Sequence, residues 1–199
     1  MKVYCRQFYK IYCRHPFNTS QRVRVAQDCH TGHQGAKDLN FVMPDGKPMP
    51  LGTPVFAMES GTVAEVRRGL PPSPTSAGLP NNVVIKGSDG FYTEYAHITP
   101  GKRPNPFTPG SAMFWYYYNK PLTIGNFIKE GDLLGWVDNS GHTIGDPVIH
   151  IGRYDPGDAR TLHDRPSPCN WYIHGVDAPY IDPFCDPGAY SGWAGPGGS

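Results

Sequence analysis

No stretch of this 199-residue chain approaches the roughly 18 consecutive apolar residues of a membrane span. The opening Met1-Lys2-Val3-Tyr4-Cys5-Arg6 has no hydrophobic signal segment. A processed or truncated chain and export by a route the sequence does not display both fit that start. Charge of one sign is equally scarce. With 18 basic and 17 acidic side chains the formal net charge is +1, which leaves no basic field for nucleic acid or an anionic membrane. Neither partner is expected. No segment carries a convincing helical period, no internal repeat is found, and no two cysteines have zinc-knuckle spacing. The cysteines are few, Cys5, Cys13, Cys29, Cys169 and Cys185, and all lie towards the ends. Such segments lack core area and gain most from cross-links. A Cys169–Cys185 disulfide and one pair among Cys5, Cys13 and Cys29 are therefore expected in an oxidising compartment, with one thiol left over. Free thiols in a reducing compartment are the alternative.

Glycine and proline are abundant, at 24 and 22 residues, and aromatics reach 13%. This pairing argues against disorder and for turns between many short strands. The runs Pro54–Ala57, Gly61–Val66, Asn82–Lys86, Phe91–Ala96, Asp132–Val137 and Val148–Ile151 are rich in Val, Ile, Thr and aromatics and bounded by turn formers. They predict a mainly β, antiparallel domain over residues 33–155, between an N-terminal lead-in, 1–32, and a strand-poor, cysteine-containing C-terminal extension, 156–199. Two long loops stand out. One is the proline-rich Gly69–Pro80, and the other runs from Thr99 to about Thr123 and holds Phe114-Trp115-Tyr116-Tyr117-Tyr118. Five successive aromatics load both faces of any strand, so part of the run is expected to meet another surface or a protein partner.

Three separated histidine segments carry the chemistry: His33-Gln34-Gly35-Ala36-Lys37-Asp38, Tyr95-Ala96-His97 and Pro147-Val148-Ile149-His150. Singly each has an ordinary explanation, a turn histidine before glycine or a satisfied core histidine in a strand. In this order, with Gly52-Thr53-Pro54-Val55, Ser60-Gly61-Thr62-Val63 and Lys129-Glu130-Gly131-Asp132 between them, they resemble the lysostaphin-type zinc metallopeptidases. These are the LytM-like endopeptidases that cut peptidoglycan cross-bridges, and the resemblance runs from about His33 to Arg153.

The resemblance implies a lysostaphin-type peptidase fold with a duplicated hybrid motif, two packed antiparallel sheets enclosing a groove below long loops. It implies a Zn2+ ion held by His33, Asp38 and His150 at roughly 2.0–2.2 Å. His97 becomes a catalytic histidine, and the location is extracellular or in the cell envelope. Two departures matter. Asp38 falls one residue later than in an H-x-G-x-D motif, and an alternative alignment on Asn40-Phe41-Val42-Met43-Pro44 makes Asn40 the metal ligand. Asp38 is preferred because a carboxylate offsets the charge of zinc. The family's H-x-H motif is Val148-Ile149-His150 here, so the second catalytic histidine is replaced by valine. Val148 should point into the groove beside His150, two residues on along the strand.

Tyr95, Tyr92 and His142 are candidates to substitute for it, and Trp115 and Tyr116 are candidates to line the groove. His15, His30, His163 and His174 match nothing in the motif. Two functions stay open. One is a zinc-dependent endopeptidase acting on peptidoglycan cross-bridges or glycine-rich peptides. The other is a catalytically degenerate, zinc-binding homologue serving as a binding or structural module. Glu130–Val137 also resembles the hairpin of biotinyl and lipoyl carriers, but no lysine sits at its tip.

Overall fold

The computed structural model describes residues 10–29, 33–70, 79–100, 122–141 and 145–176. Within them run β1 (Lys10–Tyr12), β2 (Val23–Gln27), β3 (Ala36–Phe41), β4 (Pro54–Phe56), β5 (Gly61–Arg67) and β6 (Asn82–Gly87). The chain continues through β7 (Tyr92–Ala96), β8 (Ile98–Pro100), β9 (Phe127–Ile128), β10 (Leu133–Val137), β11 (Ile149–Tyr154) and β12 (Trp171–Ile173), with a 3-10 helix at Ala159–Asp164. The protein is mainly β, and among the described residues every pairing between strands is antiparallel except β1 with β12.

A seven-stranded sheet has the order β2-β3-β11-β7-β6-β5-β9, a three-stranded sheet the order β4-β10-β8, and β1 and β12 make a two-stranded piece. Strand alternation sends every second side chain of the large sheet to the same side. Leu39, Val63, Val83, Ile85, Tyr95, Ile149 and Ile151 enter one core cluster with Val55, Ile98, Leu134 and Val137 of the three-stranded sheet. Close backbone approach inside that smaller sheet requires glycine at 135, where a Cβ would strike the Thr99 carbonyl oxygen. The opposite face of the large sheet carries Val84, Tyr92 and Tyr154, which bury Leu162 of the 3-10 helix in a second, smaller cluster.

Both flanks supply strands. From the lead-in, β2 forms an edge of the large sheet against β3, and β1 pairs with β12 of the C-terminal extension. The expected Cys169–Cys185 bond gives way to a different one, because Cys169 is joined to Cys29 with a Cα–Cα separation of 5.8 Å. That spacing is ideal for a disulfide. The fold brings the end of the lead-in beside the start of β12, a proximity that spacing in sequence does not reveal. Cys13 is disulfide-bonded as well. Cys5, Cys185 and the aromatic run Phe114–Tyr118 lie outside the described residues.

Candidate metal centre

One cross-strand row organises the site. Asp38 of β3 pairs with His150 of β11, His150 with Ala96 of β7, and Ala96 with Asn82 of β6. The neighbours of these residues along each strand face the core, so the row projects from the other side of the sheet. The small Ala96 leaves space above the sheet there. His33 reaches the row although Asp38 comes one residue later than the motif spacing. The chain turns between them, with Gly35 at φ +70° and the Ala36 N–H donating to the His33 carbonyl at 2.9 Å.

Asp38 stands between two imidazoles: Oδ1 is 3.0 Å from His150 Nδ1, and Oδ2 is 3.2 Å from His33 Nε2. The His33 and His150 rings lie 5.1 Å apart, centroid to centroid. Ligand atoms about 2.0–2.2 Å from a tetrahedral ion are themselves roughly 3.3–3.6 Å apart. Donor atoms of His33, Asp38 and His150, all within 4.8 Å of one another, therefore fit a metal ion after small adjustments. A second cluster, Asp28, Cys29 and Cys169, does not fit, because its thiols are spent in the disulfide. For His150, burial is the largest single influence and disfavours the cation. The hydrogen bond to Asp38 and the charges of Glu94 and Asp38 outweigh it and hold the imidazole above its ordinary value.

His97 follows β7 in the left-handed region, at φ +62°, a conformation uncommon outside glycine. Its backbone explains the position: the N–H donates to Asn81 O at 3.1 Å and the carbonyl accepts from the Asp138 N–H at 2.9 Å. The ring Nδ1 contacts the Ser140 carbonyl at 2.6 Å. A carbonyl only accepts, so Nδ1 carries the proton and Nε2 keeps its lone pair. A buried net fixes Ser140 in turn, with Asp138 Oδ1 accepting from its N–H at 2.8 Å and Asp138 Oδ2 accepting from Asn81 Nδ2 at 2.7 Å. Burial first, and the neighbouring His150 after the opposing Ser140 bond, keep the His97 pKa below its ordinary value. The His97 and His150 rings meet edge to face at 6.1 Å.

Other expected residues are placed elsewhere. Tyr95 belongs to the core, not the groove: it alternates with Glu94 and Ala96, is fully buried, and its hydroxyl accepts from the Met58 N–H at 2.8 Å. Asn40 shares a face with Asp38, but its Oδ1 accepts from Arg24 Nε at 2.8 Å, which leaves Asp38 beside the histidines. Tyr92, a candidate substitute, packs in the second cluster and donates to Gly157 O at 2.7 Å. Val148 is half-buried and is not among the described residues that line the groove. It precedes the first residue of β11, so no ladder pairing fixes its direction. His142, Trp115 and Tyr116 lie outside the described residues.

A groove of about 210 Å³ opens over the row, lined by His33, Ala96, His97 and His150 together with two residues that motif reasoning missed, Glu94 and His163. Glu94 had a faint signal, a carboxylate two residues before Ala96 in an otherwise uncharged strand. His163 had none, since it enters from the 3-10 helix. A larger cavity of about 440 Å³ lies around Lys10, Asp89 and Arg153, away from the metal group. Its cations are already engaged, Arg153 with Asp89 and Tyr12, and Lys10 with Glu59.

No protein-family model matches the chain, and no curated protein matches it in sequence. Solved structures do match. A zinc-containing peptidase from Vibrio cholerae is 17% identical, with a TM-score of 0.44 over 80% of this chain and 39% of that one. The catalytic domain of a point mutant of the prophage-encoded M23 protein EnpA from Enterococcus faecalis is 22% identical, with a TM-score of 0.42 over 73% of this chain and 88% of that one. Lysostaphin is 21% identical, with a TM-score of 0.41 over 76% of this chain and 49% of its own. This chain thus spans less than half of the Vibrio peptidase and of lysostaphin. At such identities and scores the likeness carries none of the chemistry, which rests on the residues themselves.

Proposed function

We propose that the protein is a zinc-dependent endopeptidase of the lysostaphin type, acting outside the cell or in its envelope on peptidoglycan cross-bridges or glycine-rich peptides. One observation carries this reading, the convergence of His33, Asp38 and His150, whose two histidines line a groove that His97 also lines. His33, Asp38 and His150 would hold the ion, and the Asp38 carboxylate would offset part of its charge. When bound, zinc polarises a substrate carbonyl and acidifies water. His97 supplies what a metal does not. Its Nδ1 is tied to Ser140, so Nε2 is free to take a proton from the attacking water. Burial keeps the ring neutral and ready to accept. A groove of about 210 Å³ suits a chain with small side chains, as glycine-rich bridges have.

Val148 favours a second reading, a zinc-binding module that retains the fold with little or no turnover, since valine neither accepts nor donates a proton. Metal analysis combined with a peptidoglycan-release assay separates the two. One zinc per chain and chelator-sensitive appearance of new amino termini support the peptidase. Zinc with no release supports the module, and failure to retain zinc removes both.

A further inference from the structure

Cleavage of a peptide bond needs a group that takes a proton from water and a group that gives one to the departing amine. His97 fills one role, and valine at 148 leaves the other without its expected residue. We propose that His163, which stands beside the buried carboxylate of Glu94, is the second proton carrier of the groove. This rests on the peptidase reading above.

The placement follows from register. Ala96 pairs with His150 and Glu94 with Gly152, so Glu94 lies one step further along the same face, about 7 Å from the His150 level. His97 follows Ala96 in the other direction along the chain. The two candidates therefore flank the metal group, His97 towards one end of the groove and the Glu94–His163 pair towards the other. Both ends line the same groove.

Glu94 is 1% exposed, and its carboxylate is fully engaged. Asn82 Nδ2 donates to Oε1 at 2.6 Å, the Tyr154 hydroxyl donates to Oε2 at 2.9 Å, and His163 Nε2 stands 3.6 Å from Oε1. A buried carboxylate with these neighbours has a fixed position and can orient the imidazole beside it. His163 is seated from below by Leu162, buried against Val84, Tyr92 and Tyr154, and its ring lies 5.3 Å from that of Tyr154. Its side chain nevertheless keeps 43% exposure, as a group that must meet substrate and regain protons from solvent requires.

With Nε2 directed to Glu94, Nδ1 is the nitrogen available to substrate. The step balances as hydrolysis: the water oxygen bonds to the carbonyl carbon and one of its protons passes to His97 Nε2. The C–N bond then breaks, and the leaving nitrogen receives the Nδ1 proton of a doubly protonated His163, whose ring is left neutral with its remaining proton on Nε2. His97 afterwards releases its proton to solvent, and His163 is reprotonated from it. Glu94 touches neither substrate nor water in this scheme. It is a positioning residue.

The test compares wild type, His163→Ala, His163→Gln and Glu94→Gln on a pentaglycine amide and on the matching peptide ester with a good leaving group, which needs no proton. His163→Ala and His163→Gln should lower kcat on the amide by roughly 10²–10⁴. The ester rate should fall less than about tenfold, and zinc content and peptide affinity of the metal-free protein should stay unchanged. Added imidazole should restore part of the His163→Ala amide rate, and Glu94→Gln should lower kcat less than either. Full amide turnover by both His163 variants, or equal loss on ester and amide, would overturn the proposal while leaving the peptidase reading standing. A zinc-loaded wild type silent on both substrates would remove that reading and this proposal with it.

Discussion

Asp38 lies directly opposite His150 in the pairing of β3 with β11, and its Oδ1 stands 3.0 Å from His150 Nδ1. Its other oxygen reaches His33, so one carboxylate holds both histidines. Asn40, two residues on, is committed to Arg24. Asp38→Ala should weaken zinc binding by more than a hundredfold, beyond the roughly 10–100-fold typical of outer partners. Asn40→Ala should leave zinc affinity within a few fold and cost stability instead, about 1.5–3 kcal/mol for a hydrogen bond to a charged group. Titration with a competing chelator reads both. Loss of zinc in Asn40→Ala with retention in Asp38→Ala would reverse the assignment.

The Cys29–Cys169 bond closes a separation of 140 residues and ends four residues before His33. Loss of a native disulfide typically costs about 2–5 kcal/mol, or roughly 5–20 °C in Tm for a chain of this size. The double variant Cys29→Ser, Cys169→Ser should show that loss and a weaker hold on zinc. Non-reducing peptide mapping should recover Cys29 and Cys169 in one linked fragment. Recovery of Cys169 linked to Cys185 would contradict the structure at this point.

Asp89 joins the lead-in to the large sheet, 2.8 Å from Arg153 Nη2 and 3.5 Å from Lys10 Nζ. Burial, the largest single influence, raises its pKa, but the Arg153 hydrogen bond, the Arg153 charge and Lys10 together bring it below the ordinary carboxylate value. A depressed folded pKa stabilises above the unfolded value of about 3.9, and the contribution is lost as pH falls through the folded value. Asp89→Asn should therefore have a lower Tm than wild type at neutral pH, and the two curves should converge as pH drops below about 4. Curves that stay parallel down to low pH would show that Asp89 contributes no charge-dependent stability.

The β runs and the candidate residues His33, Asp38, His97 and His150 were legible because each stands in a local pattern. β3 was harder to see, since Lys37, Asp38 and Asn40 interrupt its apolar residues. Lys37 is buried all the same, with Nζ 4.9 Å from the centre of the Trp171 ring. Tyr95 was misread because the motif places it beside Ala96 and His97, while alternation sends its ring to the core. Glu94 and His163 depend on register between β7 and β11 and on the packing of Leu162 against β6, β7 and β11. Pairings across long sequence separations leave no trace in a single sequence. The same reason hid the partnership of Cys29 with Cys169.

Val148→His tests whether the groove accepts a proton carrier at the position of the missing histidine. The substitution puts an imidazole two residues before His150, on the His97 side of the His150–Ala96 pair by chain direction, at a residue that does not itself line the groove. With His163 intact, the gain in amide turnover should be small, within about tenfold, because one acid already serves the leaving group. In the His163→Ala background the same substitution should recover at least about tenfold, a non-additivity expected of groups that share one task. Steady-state rates for the four proteins of this cycle, each at equal zinc content, measure it. Equal gains in both backgrounds would mean that position 148 and His163 act independently. No gain in either, with zinc bound, would mean that a side chain at position 148 does not reach the substrate, in keeping with a residue that no ladder pairing orients.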